Sequence, residues 1–394
     1  MIKEKIQQLS KTIFNDVVAN RRHIHANPEL SFNEHNTSAF VAKQLDALGI
    51  PYEHMADTGL VALLKGNKPS DNVIALRADM DALPITEANE VPYKSMNVGV
   101  MHACGHDVHT SSLLGTAKIL TELKDEFAGT VKFIFQPAEE RLPGGASLMI
   151  KEGVLENPKP QAVMGQHVMP LIDAGKVGFR SGKYMASTDE LYVTVKGKGG
   201  HGAQPQQNID PVIITAHILV ALQTIISRNA DPKSPSVLSF GKVIAEGATN
   251  VIPNEVKLEG TFRTMDEAWR KAAHIKMKKM AEGIAESMGG SCEFNIMHGY
   301  PYLINEPVLT ASARGFAEDY LGKENVLDLD IWMAAEDFAY YSQVSDACFY
   351  RLGTRNEERG ITSSVHTPTF DIDEKALELS TGLMAYLAVK QLGN

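Results

Sequence analysis

The order of apolar and polar positions along this 394-residue chain divides it into two styles. From about Val41 to Phe135, helical and extended patterns alternate. They predict a helix over Thr37 to Leu48, strands over Leu60 to Leu64 and Val73 to Ala78, a helix over Ser111 to Leu123 and a strand over Val131 to Phe135. That succession is the mark of a parallel sheet covered by helices. The run Asn72-Val73-Ile74-Ala75-Leu76-Arg77 is apolar without alternation, as a strand buried on both faces requires. It ends in Ala78-Asp79-Met80-Asp81, polar groups at a strand's carboxyl end, where ligands gather in open sheets.

A different pattern begins near Lys183. Glu190 to Lys196 alternates with period two, and Asp210 to Arg228 predicts a long apolar helix with Pro211 in its first turn, where a missing N–H costs nothing. Strands over Ser236 to Ile244 and Glu255 to Thr264, a helix over Asp266 to Met288 and a strand over Cys292 to Met297 follow. Strand, helix, strand, strand, helix, strand describes a ferredoxin-like split βαβ unit. Helices over Pro307 to Leu321 and Glu374 to Leu392 then return to the first style. The expected fold is α/β: a helix-covered, mixed or parallel sheet formed by residues 1–182 and 298–394, interrupted by an inserted ferredoxin-like α+β domain over 183–297.

Composition narrows the function. A hydrophobic content of 44% with 22% charged residues describes a globular chain able to bury a large core. The net charge of -10 and the lack of a basic stripe argue against nucleic acid, whose binding draws on clustered Lys and Arg. No apolar run reaches the roughly 20 residues of a bilayer span, so no membrane partner is expected. The N-terminal stretch Met1 to Arg22 reads as an amphipathic helix and not a signal peptide. Three cysteines, Cys104, Cys292 and Cys348, fit free thiols in the cytoplasm better than a disulfide framework.

The chemistry concentrates in Met101-His102-Ala103-Cys104-Gly105-His106-Asp107-Val108-His109. Such a density of imidazole and thiol suits a zinc-like ion, which would neutralise the thiolate and fix the ring tautomers. Further donors follow predicted strands: Glu139 and Glu140 after Val131 to Phe135, and His167 after Ala162 to Met164; His366 stands near the end of the chain. Cys104, His106, Glu140, His167 and His366 complete a candidate two-ion site. Two divalent cations there would share a bridging hydroxide and polarise a carbonyl. Adjacent residues of an extended segment face opposite ways, leaving Glu139 to take the water's proton and return it to a leaving nitrogen.

Four strings sharpen this reading: Leu76-Arg77-Ala78-Asp79-Met80-Asp81-Ala82-Leu83-Pro84, Met101 to Asp107, Phe135-Gln136-Pro137-Ala138-Glu139-Glu140 and Lys198-Gly199-Gly200-His201-Gly202-Ala203. In order and over essentially the whole chain, they resemble the amidohydrolase branch of the bimetallic aminoacylase and carboxypeptidase family. That branch includes hippurate hydrolases, indole-acetyl-amino-acid hydrolases and N-acyl-amino-acid deacetylases. The resemblance implies two divalent ions, zinc or manganese with nickel or cobalt open, held by the five residues named, and Glu139 as general base. It implies that Asp79 orients the site. In the wider family a metal-binding histidine stands two residues before that aspartate; here the position is Arg77, and the histidine after the Cys-Gly pair takes over. In the inserted lid and dimerisation domain, it implies that His201 reaches a partner subunit's site and stabilises the oxyanion, so that the enzyme is a homodimer. Asn250 and Arg263 would grip the substrate carboxylate, Arg263 through a bidentate fork.

The implied activity is metal-dependent hydrolysis of N-acyl amino acids to a carboxylate and a free amino acid. The nearest alternatives are an N-acetyl-diaminopimelate deacetylase or a dipeptidase. A cysteine-nucleophile hydrolase using Cys104 and a metal-buffering protein are the other classes. His102, Asp107 and His109 read as supporting groups, while Glu336-Asp337-Phe338 and Arg22-His23-Ile24-His25 carry no assigned role.

Overall fold

The structure, a computed structural model, describes residues 1–393. Its Cα packing forms two units: Met1–Tyr184, Ile304–Ile331 and the chain from Asp337 onward make the first, and Met185–Leu303 with Trp332–Glu336 make the second. The short segment Trp332–Glu336, which the sequence pattern groups with the flanking 298–394 region, packs with the second unit because Ala186 N–H donates to the Trp332 and Ala334 carbonyls.

The first unit is built on an eight-stranded sheet. Across it run Tyr52–Met55, Gly59–Lys65, Ala128–Gln136, Lys68–Asp79, Ala162–Asp173, Ala347–Arg355, Val177–Phe179 and Val326–Asp328. Its central pairings, from Ala128–Gln136 through Lys68–Asp79 and Ala162–Asp173 to Ala347–Arg355, are parallel. Antiparallel pairings toward both edges make the sheet mixed. Strand Lys68–Asp79 is buried continuously from Val73, as its unalternating pattern requires. Helices His106–Glu122 and Ala376–Gln391 are buried over most of their length, which explains why the second is apolar all round. The N-terminal stretch, read as one helix, forms two, Ile2–Thr12 and Phe14–Ala26, broken at Ile13.

The second unit has a four-stranded antiparallel sheet ordered Ser236–Ile244, Glu255–Thr264, Asp189–Lys196, Ser291–His298. With helices Pro211–Asn229 and Glu267–Ser287 it gives the expected ferredoxin-like order. Leu191, Val193, Val195, Ile214, Ile218, Leu222, Phe262 and Met277 form its core. Helix Pro211–Asn229 corrects one expectation, because by length and composition it is apolar enough to cross a membrane. Ile214, Ile218, Leu222 and Ile225 on one face account for part of that character by core packing, while Val212, Ile213 and Val220 remain exposed.

Candidate active site

Four glycine or left-handed positions shape the loops that carry the candidate groups. Strand Ala128–Gln136 ends in Pro137-Ala138-Glu139-Glu140, and Ala138 adopts φ +51°, turning the chain sharply before the two glutamates. A Cβ on Gly145 would lie 1.8 Å from the Pro137 carbonyl oxygen, so only glycine lets the chain close against this turn. Gly105 has φ +83°, and a Cβ there would meet Val168 Cγ2 at 2.6 Å; the Cys104-Gly105-His106 segment therefore lies tight on the residue after His167. Helix His106–Glu122 starts at His106 itself, not at Ser111, and His167 lies inside strand Ala162–Asp173, not beyond its end. His366 is left-handed, φ +61°, and its N–H donates to the Ala103 carbonyl at 2.7 Å.

These elements bring Cys104, His106, Glu139, Glu140, His167 and His366 together. Cys104 Sγ lies 3.4 Å from His167 Nε2 and 3.3 Å from His366 Nε2. His366 Nε2 is 3.2 Å from Glu140 Oε1, although that oxygen lacks an aligned hydrogen-bond partner. His106 Nε2 is 3.9 Å from Glu139 Oε2 and is likewise buried without a partner. Two donor trios, Cys104 with His106 and His167 and Cys104 with Glu140 and His366, each converge within 4.8 Å.

The ring tautomers follow from the other nitrogen of each imidazole. His167 Nδ1 donates to the Val168 carbonyl at 2.7 Å, and His106 Nδ1 donates to Asp81 Oδ1 at 3.2 Å, so both rings turn Nε2 inward. Burial, with Arg351 next, holds His167 well below the usual imidazole range, hence neutral. Burial works against a charge on His106 as well, but Asp79, Asp81 and Glu140 outweigh it and push the ring up to about 10, so a cation bound at Nε2 would displace a proton from it. Burial, followed by Glu140, Glu139 and Asp79, raises the Cys104 thiol well above its ordinary range. The neighbouring carboxylates thus oppose ionisation of the thiol and favour a charge on the His106 ring.

Around the cluster lies a layer of buried partners. Asp79 accepts from Arg77 Nη1 at 2.5 Å and His109 Nδ1 at 2.6 Å, while its nearest approach to His106 Nε2 is 3.8 Å. Burial resists ionisation of Asp79, but Arg77, His106 and His109 hold its carboxyl well below the usual range. His109 Nε2 accepts the Val168 N–H at 2.9 Å, so both its nitrogens are engaged in support. Asp107 receives Arg21 Nε at 2.8 Å and His25 Nδ1 at 2.7 Å. His102 is buried with neither ring nitrogen hydrogen-bonded among the described residues, and burial pulls it down to about 3.

Two supporting carboxylates had no assigned role in the sequence. Asp337 accepts from Arg77 Nη2, from Gln136 Nε2 and from the Ala146 N–H, each at 2.8 to 2.9 Å. Asp81 accepts the N–H groups of Glu139 and Glu140, both at 3.0 Å, and the Ser31 hydroxyl at 2.6 Å. The polar strand end Asp79-Met80-Asp81 was the available signal, but which carboxylate meets which loop depends on contacts distant in sequence.

In the second unit, His201 and Asn250 lie at an exposed two-stranded antiparallel ribbon: His201 pairs with Val251, and Gly202 N–H donates to the Asn250 carbonyl at 2.9 Å. Arg263, on strand Glu255–Thr264, donates from Nη1 to the Met333 carbonyl at 3.1 Å. Burial lowers its pKa, and no carboxylate among the described residues bonds its guanidinium.

Comparison with known proteins identifies the setting. Residues 75–390 match the profile of peptidase family M20/M25/M40. The chain is similar to the N-acyl-L-amino acid amidohydrolase of Geobacillus stearothermophilus, 45% identical over 306 residues, covering 77% of this chain and 82% of that one. It is also similar to thermostable carboxypeptidase 2 of Saccharolobus solfataricus, 38% identical over 391 residues and 98% of both chains. The crystal structure of the Bacillus subtilis YXEP protein, described as a dinuclear metal binding peptidase from the M20 family, superposes with a TM-score of 0.83. It is 35% identical and covers 97% of this chain and 99% of that one. This chain belongs to peptidase family M20/M25/M40 and is a hydrolase acting on amides.

Proposed function

We propose that the chain hydrolyses N-acyl amino acids of acetyl, benzoyl or indole-acetyl type, with two divalent cations held by Cys104, His106, Glu140, His167 and His366. The observation that carries this reading is that one sulfur, Cys104 Sγ, belongs to both donor trios, an arrangement that suits a pair of neighbouring ions. The buried His106 Nε2 and Glu140 Oε1, which lack aligned hydrogen-bond partners among the described residues, support the same reading as cation donors. A thiolate, imidazole and carboxylate set suits zinc or manganese and is compatible with nickel or cobalt. When bound, such ions polarise a carbonyl and acidify water.

The chain's own residues supply the rest. Glu139, buried and oriented by the Asp337 N–H at 3.4 Å from Oε1, takes a proton from the attacking water and returns it to the leaving nitrogen. Asp79 fixes Arg77 and His109 and through them the strand ends that bear the donors. Arg263, lacking a carboxylate partner, grips the substrate's α-carboxylate together with Asn250. His201 of a second copy stabilises the oxyanion. In this reading the first unit is the catalytic domain and the second the lid and dimerisation domain; the exposed Val212, Ile213 and Val220 support a homodimer through that domain. Cys104, Cys292 and Cys348 are unpaired by disulfides, which supports a cytoplasmic setting.

The test is a panel of acetyl-, benzoyl- and indole-acetyl-amino acids beside dipeptides, run on the metal-loaded protein and on the same protein after chelation. Turnover of acylated amino acids, lost on chelation and restored by metal, supports the proposal. Activity insensitive to chelation removes it in favour of a Cys104 nucleophile. The carboxypeptidase relative supports a second reading, cleavage of peptides, which the dipeptides of the same panel separate; N-acetyl-diaminopimelate added to the panel tests the remaining alternative.

A further inference from the structure

We propose that Asp81 is the positioning residue of this site, a single carboxylate that sets the backbone of Glu139 and Glu140 and the ring of His106 at once. The inference rests on the reading that Glu140 and His106 hold metal and Glu139 moves the proton. Asp81 is 1% exposed and stands two residues beyond strand Lys68–Asp79.

Its oxygens divide the work. Oδ1 accepts the Glu139 N–H at 3.0 Å and the His106 Nδ1 proton at 3.2 Å. Oδ2 accepts the Glu140 N–H at 3.0 Å and the Ser31 hydroxyl at 2.6 Å. The left-handed turn at Ala138 makes this possible, because it points two successive N–H groups toward one anion, as in an anion-binding nest. Two segments far apart in sequence, the loop after strand Ala128–Gln136 and the first turn of helix His106–Glu122, are thereby referenced to one rigid group.

An isosteric amide cannot do the same. Asparagine offers one acceptor oxygen, so its NH2 must face either the Glu139 or the Glu140 N–H, donor against donor. If the NH2 takes the Oδ1 place, it donates to His106 Nδ1 and drives the ring proton to Nε2, removing the lone pair that faces the cluster. If it takes the Oδ2 place, Glu140 loses its anchor. Either outcome perturbs metal affinity and proton transfer without touching the substrate.

The experiment compares wild type, Asp81→Asn and Ser31→Ala by chelator competition, by the visible absorption of the cobalt(II)-loaded protein and by kcat and KM. Partners that orient ligands carry about tenfold to hundredfold in affinity or activity. Asp81→Asn is expected to lower metal affinity and kcat in that range, to leave KM within about twofold, and to alter the cobalt bands. Ser31→Ala, which keeps the charge and the three other contacts, is expected to fold and to show the same changes at a few-fold level, so the inference stays testable if Asp81→Asn fails to fold. Wild-type metal affinity, cobalt spectrum and kcat in the variants overturn the inference while the reading of the site stands. A wild-type chain that takes up no metal overturns the reading, and the inference with it.

Discussion

Replacing Arg77 tests whether the buried charge network beneath the candidate centre holds the first unit together. Its guanidinium is fully buried and donates to Asp79 at 2.5 Å, Asp337 at 2.8 Å and Gln136 at 2.9 Å. Arg77→Met fills much of the volume but leaves the Asp79 and Asp337 carboxylates buried without their common cation. Breaking a buried pair by removing one partner costs about 3–5 kcal/mol. Arg77→Lys keeps the charge yet cannot span three acceptors. Loss of two hydrogen bonds to charged or buried groups sets its cost at about 2 kcal/mol. Trp269 and Trp332 both lie in the second unit, so tryptophan fluorescence monitors that unit and far-UV circular dichroism the whole chain during urea unfolding. The destabilisation is expected in the dichroism, with the order Met worse than Lys. A loss below about 1 kcal/mol for Arg77→Met, the range of an ordinary substitution, would refute the reasoning.

Acid should weaken the second unit through Asp189. Burial alone would raise this carboxyl, but hydrogen bonds from His274 and Arg270 and the Arg270 charge bring it down to about 2 from 3.8. A carboxylate with a depressed folded pKa stabilises the fold above its unfolded value and loses that contribution as pH falls through the folded one. At about 1.4 kcal/mol per tenfold change in proton affinity, roughly 2 kcal/mol should disappear between pH 4 and pH 2, and Asp189→Asn should flatten that slope in tryptophan-monitored melts. Gly145→Ala, whose Cβ would sit 1.8 Å from the Pro137 oxygen, is expected to cost about 1–3 kcal/mol by overpacking and to lower kcat by displacing the Glu139 turn; unchanged melting and turnover would count against that geometry. Glu139→Gln should lower kcat by at least about a hundredfold while chelator competition shows wild-type metal affinity, and equal losses of both would reassign Glu139 as a ligand.

Much of this was legible because periodicity reports burial. The unalternating Val73 to Ala78 run announced a central strand, and the order of elements after Lys183 announced the ferredoxin-like unit. Positions where tertiary contacts override local pattern were harder to read. His106 begins a helix because Gly105 supplies a left-handed entry, which an apolar period starting at Ser111 does not reveal. His167 sits within a long strand because pairing with Ala347–Arg355 carries it to Asp173. The helix Pro211–Asn229 passed unnoticed as a membrane-length segment because its polar residues, Thr215, His217, Gln223 and Thr224, interrupt the run without lowering its average enough. In the candidate site, residue types and crowding pointed to the donors, whereas the partners Asp81 and Asp337 emerge only when distant loops meet.

The central claim is that Cys104 Sγ is common to two ion sites. The most direct measurement is the metal content of the purified chain by elemental analysis, wild type beside Cys104→Ala, after loading with zinc or manganese and removal of excess. The account predicts two equivalents per chain in wild type, with both sites weakened together in the variant. Two equivalents retained at wild-type affinity by Cys104→Ala would contradict it.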